Sequence, residues 1–345
     1  MWLIDNQTPF AVERGWVRDR SGAEVWLVAV KCTFDVHPDG ACVISDVQPP
    51  VLRTPQYKGE PARSSLLFDA DLVLTKTTTD VTVLGHAHAP DGQRVESMMA
   101  GLRIGSLQKW LKITGDRVWT SAGPTHPRPF TIMPLEYERA FGGVDRHSTA
   151  PERDYDWRNP IGTGFVVGSD HAIGVPLPNI EYPTELITRP ADRPAPAGFG
   201  PVPPNWQSRA MFAGTYDETW LAERQPLLPV DFDDRYFQAA PADQQPADFL
   251  RGGESVELVG LTRVGPLRFG LPVVTLGFES RFDDGSIEHH AVRRLHSVII
   301  ESDFPRVSLV WHSALPCHFK AYKLSRTIVI EKRRVNSAEP LMRLA

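Results

Sequence analysis

Acidic side chains crowd one stretch of the chain. In GTYDETWLAERQPLLPVDFDDRYF, from Gly214 to Phe237, six acids and two arginines share 24 residues with one Trp, two Tyr, two Phe and two Pro. Asp231, Asp233 and Asp234 could hold a hard divalent cation, which takes several carboxylate oxygens. The EF-hand pattern fails, because the sixth and twelfth positions from Asp231 are Tyr236 and Ala242 rather than Gly and Glu. Aspartates in an irregular loop more often cap turns or pair with arginine, and Arg224 and Arg235 stand nearby in sequence. The expectation here is turn capping, with no metal.

The other candidates are weaker. His86-x-His88 places two imidazoles on one face of a strand, and Glu288-His289-His290 and Cys317-His318 add further possible zinc donors. No CxxC, HExxH or HxxxH spacing ties them into a site. Ser169-Asp170-His171 are adjacent, but triad members meet in space, and the strand–elbow–helix context of a nucleophile is missing. Gly162-Thr163-Gly164 lacks the flanking strand and helix of a phosphate cradle. Glu136 and Glu138 could form a carboxylate pair. The simpler reading pairs Glu138 with an arginine and turns the chain at Gly142-Gly143. These readings predict no catalytic residue, no metal and no cofactor.

The elements that must carry these residues follow from texture. The chain has 345 residues, 41% hydrophobic and 23% charged, with net charge −5. That is the balance of a globular protein, and it argues against nucleic acid or an anionic membrane as a partner. No apolar run reaches the roughly 20 residues of a membrane span. The N-terminal residues lack the basic and apolar regions of a signal peptide. Three cysteines, Cys32, Cys42 and Cys317, form no disulfide framework. Together these predict free thiols and a cytoplasmic protein.

We expect one large domain, 1–345, organised in three zones. Residues 1–122 read as strands, notably Ala23 to Val36 and a hairpin turning at Asp91-Gly92. Residues 254–345 have the same texture, with a turn at Asp284-Gly285 and strands at FPRVSLVW and SRTIVIEKR. Gly92 to Trp119 and Gly285 to Trp311 have nearly equal spacing, a hint of two similar β-layers. The middle zone, 123–253, is rich in Pro and Gly. It is also too rich in aromatics for a disordered linker, so ordered loops are expected. Two short helices are predicted there, one capped by Asp217 with Trp220 and Leu221 facing inward, the other from Ala242 to Leu250. The fold class expected is mainly β, with antiparallel sandwich-like layers from both chain ends and a long irregular centre.

Several blocks occur together in order: TTTDVTVLGHAHAP, ITGDRVW, MPLEYERAFGG, RNPIGTGF, PAPAGFGPVPPNWQSR, GTYDETWLAERQPLLPVDFDDRYFQAAPADQ and LRGGESVELVGLTRVGPLRFGLP. They resemble the signature blocks of a bacterial domain-of-unknown-function family associated with type VI secretion accessory proteins. The resemblance implies an adaptor or chaperone that holds a secreted effector in the cytoplasm and helps load it onto a spike of VgrG and PAAR proteins. The pentapeptide-repeat tail of some such proteins has no counterpart before Ala345. Aromatic and arginine anchors dominate protein interfaces. The residues expected to shape or support the client-facing surface are therefore Trp206, Arg209, Tyr216, Trp220, Arg224, Asp231, Asp233 and Arg235. The alternatives are a carboxylate-dependent hydrolase or carbohydrate-active enzyme using Glu136, Glu138, Asp231 or Asp233, and a structural component of the spike.

Overall fold

The computed structural model describes residues 2–290 and 293–332. The end of the C-terminal zone, with Arg333 of the last expected strand, lies outside them. Strands dominate, as the alternating Val, Trp, Phe and Thr residues predict. The longest, Glu24–Val36, pairs antiparallel with Ala11–Arg18 on one side and Arg306–Pro316 on the other. Arg293–Glu301 pairs with Arg306–Pro316, and Asp80–Leu84 completes the row. With Cys42–Ile44 at the end of the long strand, this makes a six-stranded sheet. A five-stranded sheet runs Ile180–Glu181, Leu107–Thr114, Ser97–Ile104, Ser255–Val259, Leu267–Gly270. A four-stranded sheet runs Leu3–Gln7, Leu324–Glu331, Leu276–Phe282, Ile287–His289.

Both chain ends contribute to each of these sheets, so the layers interleave the two β zones. Ser97–Ile104 and Leu107–Thr114, after Gly92, enter the five-stranded sheet, whereas Arg293–Glu301 and Arg306–Pro316, after Gly285, enter the six-stranded one. The matching spacing therefore leads to different neighbours. Within these three sheets, two pairings among the described residues are parallel rather than antiparallel: Leu3–Gln7 with Leu324–Glu331, and Asp80–Leu84 with Arg293–Glu301. Parallel neighbours need a long connection, and most of the chain lies between the members of each pair. Asp91 and Gly92 do adopt positive φ, 54° and 65°. No hairpin forms there, because His86–His88 pairs instead with Ile132–Pro134. At Asp284-Gly285 the hairpin forms as expected.

The pleat gives the six-stranded sheet two unlike faces. Val28, Val30, Cys32 and Phe34 share one face with Leu309, Val307, Val298, Ile300, Val81 and Val83. They join Leu102, Ile104, Leu111 and Ile113 of the five-stranded sheet in one core. The opposite face carries Lys31, Thr33, Asp80, Ser297, Ser308 and His312, and these too are buried. Irregular chain covers that face and satisfies it. Asp71 meets Lys31 at 2.9 Å, and the Ala239 amide and Gln238 donate to Asp80. Buried polar groups need such partners. Loops from two different zones of the chain supply them.

Asp217 caps the helix Glu218–Glu223, accepting the Trp220 N–H at 2.8 Å. Leu221 faces outward, 56% exposed, against the expectation; only the Trp220 side of this short helix is tied down. Ala242–Gln244 makes a single 3₁₀ turn and the expected longer helix stops there. Pro246 follows, and the residue before proline is biased away from helix. Among the described residues, no helix is long and apolar enough to cross a membrane.

Candidate partner-binding groove

The hairpin of Ala11–Arg18 and Glu24–Val36 ends in a turn built by Asp19. Its Oδ1 accepts the amides of Ser21 and Ala23 and the Ser21 hydroxyl. Those bonds hold the Asp19 carboxyl below its ordinary range, the serine hydroxyl contributing most. The acid-rich stretch clamps onto this turn. Arg224 donates to the carbonyls of Arg20 and Leu228, both at 2.9 Å. Trp220 Nε1 donates to the Leu227 carbonyl at 2.8 Å, and Arg20 approaches Asp234 at 3.5 Å.

A groove of about 840 Å³ lies between this clamp and the sheet edge. Its walls are Trp16–Arg18 of the edge strand, Leu72 to Leu74, Pro226 to Leu228, and Tyr236 and Phe237. Gly15 lets Leu72 seat against the strand, since a Cβ there would stand 2.9 Å from Leu72 Cδ2. Arg209 also lines the groove, with its guanidinium already committed. It donates to the carbonyls of Val202 at 2.7 Å and Tyr236 at 3.0 Å, and pairs with Asp69 at 3.1 Å.

The eight residues expected at a client surface divide into three groups. Trp206 is buried, edge-on to Tyr137 at 5.1 Å, and Arg209 is buried too. Both hold the loops. Trp220, Arg224, Asp231, Asp233 and Arg235 fasten the stretch while remaining at or near its surface. Asp231 accepts the Thr215 amide and hydroxyl, at 3.0 and 2.7 Å. Asp233 is gripped by its own loop's Arg235, which lies over the Phe212 ring at 4.2 Å. These bonds lower both carboxyls, Asp231 through Thr215 and Asp233 through Arg235. Turn capping was the role expected for them. Tyr216 is 54% exposed and leans edge-on against Trp220 at 4.7 Å. It has the profile of an anchor. The opposite wall, Trp16–Arg18 and Leu72 to Leu74, escaped sequence reasoning. The groove's own signal in the sequence is Pro226-Leu227-Leu228-Pro229 on the near wall, an uncharged run set within the acids.

The remaining motifs are also accounted for. His86 Nδ1 and His88 Nε2 both meet Asp303, at 2.7 and 3.0 Å. Of the acids in MPLEYERAFGG, Glu136 pairs with Lys58, and Glu138 accepts from the amide and hydroxyl of Ser65 rather than from the expected arginine. Ser65 wins because the Gln56–Tyr57 and Leu66–Phe68 hairpin presents it against this loop. Gly142 and Gly143 both take positive φ, as the predicted turn requires. His171 meets Asp145 at 2.7 Å, closer than its neighbour Asp170 at 4.0 Å, and the hydrogen bond to Asp145 chiefly raises the imidazole's pKa. All three cysteines are free. Among the described residues, no group of three His, Cys, Asp or Glu side chains is placed to hold a metal ion.

Residues 21–312 match the family model DUF2169, described as an uncharacterized protein conserved in bacteria. The match spans most of the chain, which therefore belongs to that family. No curated protein and no solved structure matches it.

Proposed function

We propose that this DUF2169 protein is a non-enzymatic adaptor-chaperone. It binds a secreted effector in the cytoplasm and helps load it onto the VgrG and PAAR spike of a type VI secretion system. The observation that carries the binding role is the groove beside the 214–237 stretch. It is open and largely apolar, and its walls are held by buried fasteners such as Arg209. A surface already rigid before binding loses little entropy when a partner docks. Tyr216, Leu221 and Val230 are exposed large apolar side chains on the same stretch, and exposed apolar residues gathered in one region suit a protein contact. The signature blocks supply the choice of client and spike. The carboxylates required by an enzyme reading are engaged by Lys58, Ser65, Thr215 and Arg235, which favours recognition over acid/base work.

The test is co-expression of this chain with the effector encoded beside its gene, followed by size-exclusion chromatography. A stable complex is expected, weakened at least tenfold by Leu228→Asp at the groove wall. Failure to bind the effector, VgrG or PAAR would remove the proposal.

A further inference from the structure

Alternate residues of an antiparallel strand turn their backbone groups to opposite edges. In Ala11–Arg18, the bonds to Glu24–Val36 fall on Ala11, Glu13, Gly15 and Val17, so Val12, Arg14, Trp16 and Arg18 face away from the sheet. This assignment is fixed by the outward bonds of Arg14. Its N–H donates to Glu13 Oε1 at 2.8 Å, and its carbonyl accepts from Arg53 at 2.6 Å. Glu13 and Arg53 are themselves paired at 2.9 Å. That ion pair plugs the middle of the edge. Side chains that block an exposed edge are a known defence against unwanted pairing.

Toward the groove the plug ends. Trp16 and Arg18, both lining the groove, have outward backbone groups with no protein partner among the described residues, and so does Val12 at the far end. The groove thus joins a stretch of unpaired strand edge to an apolar trough formed by Leu72, Leu74, Leu227 and Leu228. Arg18 stands exposed at its mouth over the Trp16 ring, 5.6 Å from the centroid, and no salt bridge engages it among the described residues. Backbone donors and acceptors require an extended partner, the trough requires apolar side chains, and Arg18 favours an acidic one.

We infer that the groove binds its client by strand addition: an extended apolar segment of the client, carrying an acidic residue, pairs with the open Trp16–Arg18 end of the edge strand. In this mode main-chain bonds give affinity and side-chain pockets give specificity. The inference rests on the adaptor reading and names how the client is held.

Hydrogen exchange on the full chain, free and in complex with the co-expressed neighbouring effector, tests it. Binding should slow exchange at the amides of Trp16 and Arg18 at least tenfold, and Arg18→Glu should weaken the complex about tenfold. An intact complex with unchanged exchange across 11–18 overturns strand addition and leaves the adaptor reading standing. Absence of any complex overturns both. Protection of the same amides in the isolated chain as its concentration rises would assign the edge to a second copy and overturn the client assignment.

Discussion

The Trp26 indole N–H donates to Thr327 Oγ1 across 3.0 Å, with both side chains out of water. The contact starts a buried chain of polar groups between two sheets. Thr327 meets Ser280 at 2.6 Å, Ser280 meets His290 at 2.8 Å, and His290 reaches Ser313 at 2.5 Å. Trp26 and Ser313 belong to the six-stranded sheet, and Thr327 and Ser280 to the four-stranded one. Each group is satisfied only while the two sheets stay in register.

This chain makes stability depend on acidity. Burial, and secondarily the neighbouring His289, lowers the His290 pKa to about 4. Burial lowers that of His312 to about 3. In the unfolded chain both titrate near 6.5, so between about pH 6.5 and pH 4 the unfolded state binds protons that the folded state refuses. Stability should be full above pH 7 and fall as pH drops through that window. His290 alone accounts for a loss on the order of 3 kcal/mol. Urea denaturation at pH 7.5, 6 and 5 checks this. His290→Gln should lower stability at pH 7.5 and flatten the acid slope, and an unchanged slope would remove His290 as its source.

Lys31 and Asp71 form a buried ion pair joining sheet to loop, at 2.9 Å with side chains 4% and 2% exposed. Asp71 also accepts the Leu52 amide at 2.8 Å, so one carboxylate fixes two loop segments. Removing one partner of a buried pair leaves a charge without compensation and costs about 3–5 kcal/mol. Lys31→Met and Asp71→Asn should each lower the denaturation midpoint by that measure. The double variant should recover part of the loss, because the stranded charge is gone.

Gly143 tests the turn that shapes the MPLEYERAFGG block. Its φ is +88°, and a Cβ there would stand 2.2 Å from the Gly162 carbonyl oxygen. Gly174 has a similar φ of +82° but open space around it. Left-handed backbone alone costs a side chain roughly 1–2 kcal/mol. Gly174→Ala should therefore show about that loss in thermal or chemical denaturation. Gly143→Ala should show clearly more, and equal losses would mean the clash relaxes.

What could be read from the sequence was what depends on neighbouring residues. Alternation revealed Glu24–Val36, Gly-rich pairs marked turns, and Asp217 announced its helix. Pairing between distant strands was less accessible. His86–His88 and Ile132–Pro134 are too short to advertise each other, so the Asp91-Gly92 turn read as a hairpin. The groove was half visible for the same reason: one wall lies in the aromatic stretch, the other some 150 to 220 residues earlier in chain that looked merely like a strand and a loop. Nor does sequence distinguish a buried arginine from an exposed one. Arg209 and Arg224 read alike until their carbonyl partners were seen.

That distinction between fasteners and anchors is itself testable with Trp206 and Tyr216. Trp206 is 1% exposed, packed on Tyr137, and caught in a small cluster with Ala140 and Val202. Truncating a buried tryptophan removes its transfer energy and leaves a cavity, about 3–5 kcal/mol in all. Trp206→Ala should therefore lose stability by that amount and weaken effector binding only as far as the loops loosen. Tyr216 presents half its surface to solvent and has one aromatic neighbour, so Tyr216→Ala should change stability by under about 1 kcal/mol. As an anchor at a protein interface it should instead weaken the complex by about 2 kcal/mol, roughly thirtyfold. Calorimetric titration of each folded variant with the effector separates the two effects. If Tyr216→Ala binds as tightly as the parent chain, Tyr216 is only a prop for Trp220, and the client contact must lie deeper in the groove, toward Leu228 and the edge strand.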